Sequence, residues 1–297
     1  MADTTTLVSD RHFTEGPRWH DDGDGRGGRL WYSDFYDHTV RSVGQGGDDV
    51  VEVALDDQPS GLGWLPDGRL LVVSMVDRLV LRREPDGSLV THADLGGIAT
   101  WWCNDMAVAP DGTAYVGHFG FDLDTFLAEH GQAGVLAEPG PPRAHVMRVS
   151  ADGAVSVSAD DIRFPNGTVF TDGGRTLIVA ETMALRLLAF DIAPDGTLSN
   201  RRVWADLSGH LVAPDGICID SDGAVWSSNP VGAHVVRVTE GGTITDTVAT
   251  GQNSFACALG GADGRTLFVC TAPDSDHERR TASAEAAIEA VEVAVPA

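Results

Sequence analysis

Six times along the chain the same short pattern returns: a marked residue on a stretch of strand-period apolar residues, followed by a turn. The six marked positions are Glu15, Ser60, Asn104, Asn166, Asp215 and Ala256. In five units an Asp follows seven residues later, at Asp22, Asp67, Asp111, Asp222 and Asp263; in the fourth, Gly173 takes that place with Asp172 beside it. Self-similarity at a period of some tens of residues, built from short strands and turns, is the mark of radial or solenoid repeats. The fifth unit reads most cleanly. Ile217 and Ile219 alternate at strand period, Ser221-Asp222-Gly223 turns the chain, and apolar runs at 224–228, 234–238 and 244–250 follow. Four short antiparallel strands in about 40–50 residues make one blade of a propeller.

The expected fold is therefore all-β, a six-bladed β-propeller forming one domain over residues 1–297. Lone strands at 6–13 and 287–295 should complete the last blade, tying N- to C-terminus and removing exposed edges. Successive marked positions are 45, 44, 62, 49 and 41 residues apart. The long third interval holds an extra segment, 121–143, in which an Asp at 124 and a Gly at 131 bracket a single helical excursion. Its place directly after an inner hairpin makes it a lid over one end of the ring. The polar stretch 274–285 reads as a loop. Once the ring closes, all six marked positions converge on its axis, and four of them can offer a side-chain oxygen to one metal ion.

Charge narrows the partners. The formal net charge is −24 and the chain contains no lysine, so all 20 cationic side chains are arginines. Such a surface repels phosphate backbones and anionic membranes, which excludes a nucleic-acid ligand. Without lysine there is no Schiff-base chemistry and no Walker-type phosphate loop. The carboxylate excess also suits a salty environment. No stretch reaches the roughly 20 apolar residues of a transmembrane helix, and residues 1–10 carry no signal-peptide pattern. The cysteines (Cys103, Cys218, Cys257, Cys270) lack CxxC spacing and read as reduced, buried thiols of a cytoplasmic protein.

At the marked positions the chain resembles the regucalcin (senescence marker protein) and gluconolactonase family of six-bladed propellers. The resemblance rests on Glu15-Gly16-Pro17-Arg18-Trp19, on Asn104-Asp105 ahead of Pro110-Asp111-Gly112, on Asn166-Gly167 with Leu198-Ser199-Asn200-Arg201-Arg202, and on the stretch from Pro214-Asp215-Gly216 to Asp220. It covers nearly the whole chain, in order. It implies a divalent cation held by Glu15, Asn166 and Asp215 with Asn104 close by, and hydrolysis of lactones or related esters. Sugar-lactonase members of that family tend to carry an arginine two residues before the substrate-side Asn. Here that residue is Trp102, beside Trp101, while Asp122 falls near the place of an acidic substrate contact.

Two carboxylates and one or two amide oxygens form an all-oxygen donor set. Such a set suits Ca²⁺ first, with Mg²⁺, Mn²⁺ or Zn²⁺ able to occupy it. The expected reaction is lactone opening by water activated at that cation. Asp215 serves as ligand and general base, and Asn104 orients the substrate. Trp102 walls the mouth, favouring a substrate less polar than a simple sugar lactone, and His118 and Asp122 stand beside it. Taken singly, Asn166-Gly167 and Asp215-Gly216 are also ordinary turn dipeptides, and Trp101-Trp102 equally suits blade packing. No HExxH and no GxSxG occurs. Two other readings stand beside the lactonase: a metal-binding propeller without turnover acting as a scaffold, and the same site used for phosphotriester hydrolysis or isomerisation. Oligomeric state is not legible in the sequence.

Overall fold

The computed structural model describes residues 4–21 and 23–297. Asp22, one of the repeat's turn acids, lies outside them. The strands assort into six antiparallel four-stranded sheets. The first strand of each sheet packs against the first strand of the next, and the last returns to the first. This closes a ring: the fold is a six-bladed β-propeller. Its inner strands are Thr14–His20, Pro59–Trp64, Cys103–Val108, Pro165–Thr171, Ile217–Ile219 and Asn253–Gly260. The sixth blade takes its outermost strand, Thr5–Arg11, from the N-terminus, paired antiparallel to Ala286–Glu292. Both termini thus complete that blade, within a residue or three of the expected bounds.

The core is six wedges, one in each gap between blades. Strand alternation explains it. In the second strand of blade 2, Leu71 and Val73 face Met106, Val116 and Met147 of blade 3, while Leu70 and Val72 face Trp31 and Val40 of blade 1. The second strand of blade 4 does the same, with Ile178 and Ala180 on one side and Leu177 and Val179 on the other. A strand covered on both faces reads as a continuous apolar run, and truncating one such Leu to Ala costs about 2–5 kcal/mol.

The repeat's second mark is structural. Asp67, Asp111 and Asp263 each accept a hydrogen bond from the backbone N–H two residues on, at 3.1, 2.9 and 3.0 Å. They close the turns at the far ends of the inner strands, away from the site. In blade 5 that acceptor is Asp220 instead, bonded to the N–H of Asp222.

The extra segment in blade 3 is a helix, Leu123–Leu136, with Gly131 (φ 63°) breaking it into two pieces. Its N-cap is Asp122, two residues before the expected start. Phe121 and Phe164 bind it to the ring, together with Met183. The stretch expected as a loop at 274–285 contains a short helix, His277–Ala282, capped by Asp276. Its buried Arg280 pairs with Asp274 and Glu285, which gives this polar segment a fixed shape. Among the described residues, no helix is long and apolar enough to cross a membrane.

Candidate active site

The marked residues lie at the N-terminal ends of the inner strands, where neighbouring blades approach most closely. That approach dictates the glycine that follows four of the six marks. A Cβ on Gly16 (φ 58°) would stand 2.7 Å from the Ser60 carbonyl oxygen, and one on Gly167 would strike the backbone of Asp215 and Ile217. Glu-Gly and Asn-Gly are therefore strand-start pairs forced by ring closure, not turns.

Four marked side chains, Glu15, Asn104, Asn166 and Asp215, meet at the floor of one cavity of about 640 Å³. All four are buried. Hydrogen bonds that run in one direction from blade to blade join the amides, and Glu15 stands outside that chain. Ser60 Oγ donates to Asn104 Oδ1 at 2.9 Å, and Asn104 Nδ2 donates to Asn166 Oδ1 at 3.2 Å. Asn166 also favours the charged form of the neighbouring Asp215 carboxylate. Three blades thus fix the amides that face this acid. Ala256, the sixth mark, is buried without reaching the cavity.

Burial pushes the carboxyls of Glu15 and Asp215 well above the ordinary range. Asp215 and Asp105 push Glu15 further, and Asp105 does the same to Asp215. Against this, Glu15 accepts one backbone N–H, from Gly16 at 3.1 Å. Among the described residues, no arginine or histidine lines the cavity. Among the described residues, no group of three His, Cys, Asp or Glu side chains is placed to hold a metal. The axial set is two carboxylates plus the two amides, hard oxygen donors around an excess of negative charge. That chemistry fits a divalent cation of the Ca²⁺ or Mg²⁺ kind.

Three side chains expected at the substrate stand elsewhere. Trp102 is stacked on Trp101 at 5.9 Å and tilted over Phe119 at 6.4 Å, one layer behind the wall. His118 is fully buried inside blade 3, its Nε2 accepting the N–H of His145 at 3.0 Å. Asp122 spends its carboxylate on the helix cap, accepting from Thr125 N at 3.1 Å and Thr125 Oγ1 at 2.8 Å. None of the three lines the cavity.

The walls come from phenyl rings that the marked positions alone did not reveal: Phe13, Phe35, Phe119, Phe164 and Phe255. A signal existed. Phe13 and Phe164 stand two residues before Glu15 and Asn166, and Phe35 and Phe119 follow the second strands of their blades. Asp34 fixes Phe13 by accepting its backbone N–H at 3.0 Å.

With this geometry in place, residues 13–273 match the family described as the SMP-30/Gluconolactonase/LRE-like region. Regucalcin of Danio rerio is 25% identical over 172 residues, 57% of this chain and 54% of that protein. The chain thus spans little more than half the length of that relative. Pentonolactonase XacC of Haloferax volcanii is 26% identical over 278 residues, 92% of this chain and 86% of that protein. Among solved structures, the calcium-binding protein regucalcin from Agrobacterium tumefaciens has a TM-score of 0.78 at 21% identity, covering 99% of this chain and 95% of its own. At that identity the likeness is one of fold.

Proposed function

Because the chain belongs to the SMP-30/gluconolactonase/LRE-like family, we propose that it hydrolyses a lactone, with a divalent cation held on the axis by Glu15, Asn166 and Asp215. The observation that carries this reading is the pair of buried carboxylates, Glu15 and Asp215, at the floor of an otherwise largely apolar cavity. Two carboxylates buried together in such a place, with Arg18 as counter-charge to them and Asp105 alike, are costly unless a cation or a reaction uses them. A pentonolactonase and a calcium-binding regucalcin among its relatives and neighbours support both halves of the proposal.

When bound, the cation would polarise the lactone carbonyl and lower the pKa of the attacking water. Asp215 takes the proton of that water as its oxygen bonds to the carbonyl carbon, and returns it to the ring oxygen as the C–O bond breaks. Asn166 holds the Asp215 carboxylate in the orientation this transfer needs. Asn104 is pinned by Ser60 on one side and Asn166 on the other. Its remaining N–H is left to steady the substrate's carbonyl or ring oxygen. The product is the open hydroxy acid. The phenyl walls support a substrate less polar than a simple sugar lactone, the role expected of Trp102. The four free cysteines fit a reducing, cytoplasmic setting.

The test is proton release on a panel of sugar, alkyl and aryl lactones, using chelated protein reloaded with Ca²⁺, Mg²⁺, Mn²⁺ or Zn²⁺. Turnover restored by one cation and abolished in Asp215→Ala is the expected result. Cation binding without opening of any lactone would replace the enzyme by a binding module. Absence of any bound cation would sink the axial site.

A further inference from the structure

Resting on the lactonase reading, we propose that the substrate carries a long apolar substituent, an alkyl or acyl chain. It lies along the phenyl-lined shaft above the axial carboxylates and leaves over an exposed leucine and valine rim.

Size comes first. A cavity of about 640 Å³ lies in the range that engulfs a whole drug-sized ligand. A bare lactone ring at the axial floor leaves most of it unfilled.

The walls then state what fills the remainder. On blades 1 and 6, Phe13 packs against Phe35 at 5.2 Å and edge-on to Phe255 at 4.8 Å. Across the ring, on blades 3 and 4, Phe119 packs against Phe164 at 4.6 Å. The helix Leu123–Leu136 roofs the space with Leu123 and Leu127. Above the floor the polar lining is confined, among the described residues, to Thr182, Asn253, Asp274 and Ser275. The Thr182 hydroxyl donates to the Pro214 carbonyl at 2.7 Å, one Asn253 N–H to that of Pro273 at 3.2 Å, and the Asp274 carboxylate accepts from Arg279 and Arg280. A polyhydroxylated ring would have to surrender its hydration to phenyl faces, each unpaired hydroxyl costing about 1–3 kcal/mol by mutational measure.

The rim is the independent observation. Leu211 is 71% exposed and Val231 63%, the two most exposed large hydrophobic side chains among the described residues, and Leu136 is 52% exposed. All three line this cavity. Scattered exposed apolar residues are ordinary; several gathered at one mouth mark a binding surface. Leu211 is presented there by the left-handed cap (φ 54°) of the short 3₁₀ turn Ser208–His210, its N–H donating to the Ser208 carbonyl.

The experiment is a kcat/KM series on the cation-loaded protein, using unsubstituted, butyl, hexyl, octyl and decyl γ-lactones with gluconolactone alongside. Each added methylene is expected to raise kcat/KM about fourfold until the chain passes the rim. The double variant Leu136→Gln with Leu211→Asn should cut the decyl-to-butyl ratio about tenfold. Asn tolerates the left-handed backbone at 211, so the fold is kept. A series flat in chain length, or best turnover on gluconolactone, overturns this inference and leaves the lactonase standing. If no lactone opens, calorimetry with octyl and unsubstituted γ-lactams decides. Tighter binding of the octyl compound upholds the apolar chain while the lactonase falls; equal affinity overturns the chain.

Discussion

Arg18 Nη2, on the inner strand of blade 1, lies 3.0 Å from Asp105 Oδ1 on that of blade 3. It also donates to the Met106 carbonyl at 2.6 Å. The guanidinium therefore spans the inner strand of blade 2, where the residue after the marked Ser60 is Gly61. A Cβ there would collide with the backbone at Asp105 and Met106. Asp105 is itself the residue after a mark, in the slot that glycine fills in four of the six units. It raises the carboxyls of both Glu15 and Asp215, so Arg18 is the counter-charge of a three-carboxylate group.

Arg18→Met keeps the side-chain volume and removes the charge. We expect a loss of about 2 kcal/mol in the cation-free protein, because a largely buried Asp105 is left unpaired. Ca²⁺ should bind more tightly, since a nearby positive charge is gone. Thermal unfolding in chelator and calorimetric Ca²⁺ titration read the two effects. Unchanged values in both would mean that the pair is not coupled to the axial acids.

Asp122 separates a cap from a substrate contact. Asp122→Ala should lower stability by about 1 kcal/mol and raise KM as the helix Leu123–Leu136 frays over the cavity. Asp122→Ser, a good N-cap, should restore both. A carboxylate that touched substrate would not be rescued by serine, so failure of the Ser variant in KM alone would return Asp122 to the substrate.

His118 carries a pH dependence whose sign follows from burial. Desolvation, with His145 beside it, lowers its pKa from the ordinary 6.5 to about 4. The native state thus holds it neutral while the unfolded chain protonates near 6.5. Its stabilisation is complete above that pH and is lost as the pH falls towards 4, amounting to about 3 kcal/mol. In His118→Gln, whose carbonyl can still accept the His145 N–H, the urea midpoint should fall less steeply over that window. Parallel curves for the two proteins would remove His118 as the cause.

The ring was legible because blades repeat. Strand alternation, Gly-containing turns and the spacing of Glu15, Asn104, Asn166 and Asp215 all recur, so one well-read unit interprets the others. The lid was legible as an interruption of that period. What did not repeat was hidden. Trp102 occupies the same offset from its mark as Phe13 and Phe164, yet packs on Trp101, Phe119 and His277. The register shift after the mark recurs in blades 1, 3 and 4, so the repeat itself does not say which of the three side chains enters the cavity. The helix His277–Ala282 escaped because its stability comes from Arg280 contacts between side chains several residues apart, not from apolar periodicity.

The axial acids make the sharpest prediction, because stability and activity should move in opposite directions. In the cation-free protein, burial raises the carboxyls of Glu15 and Asp215. A group whose folded pKa is raised contributes stability below its unfolded pKa, near 4, and loses it as pH rises through the folded value. At neutral pH these acids therefore strain the cation-free ring. Asp215→Asn removes one charge while its amide oxygen can still accept from Asn166. The chelated variant should be more stable than chelated wild type by roughly 1–3 kcal/mol at neutral pH, with the difference vanishing on acidification. Lactone turnover should fall at least about a hundredfold, and Ca²⁺ should no longer protect against unfolding. Glu15→Gln should show the same stability gain, but its activity should recover in part at high Ca²⁺, because it removes a ligand and leaves the base. A variant of Asp215 that lost stability in chelator would show that its carboxylate is held by partners rather than waiting for a cation.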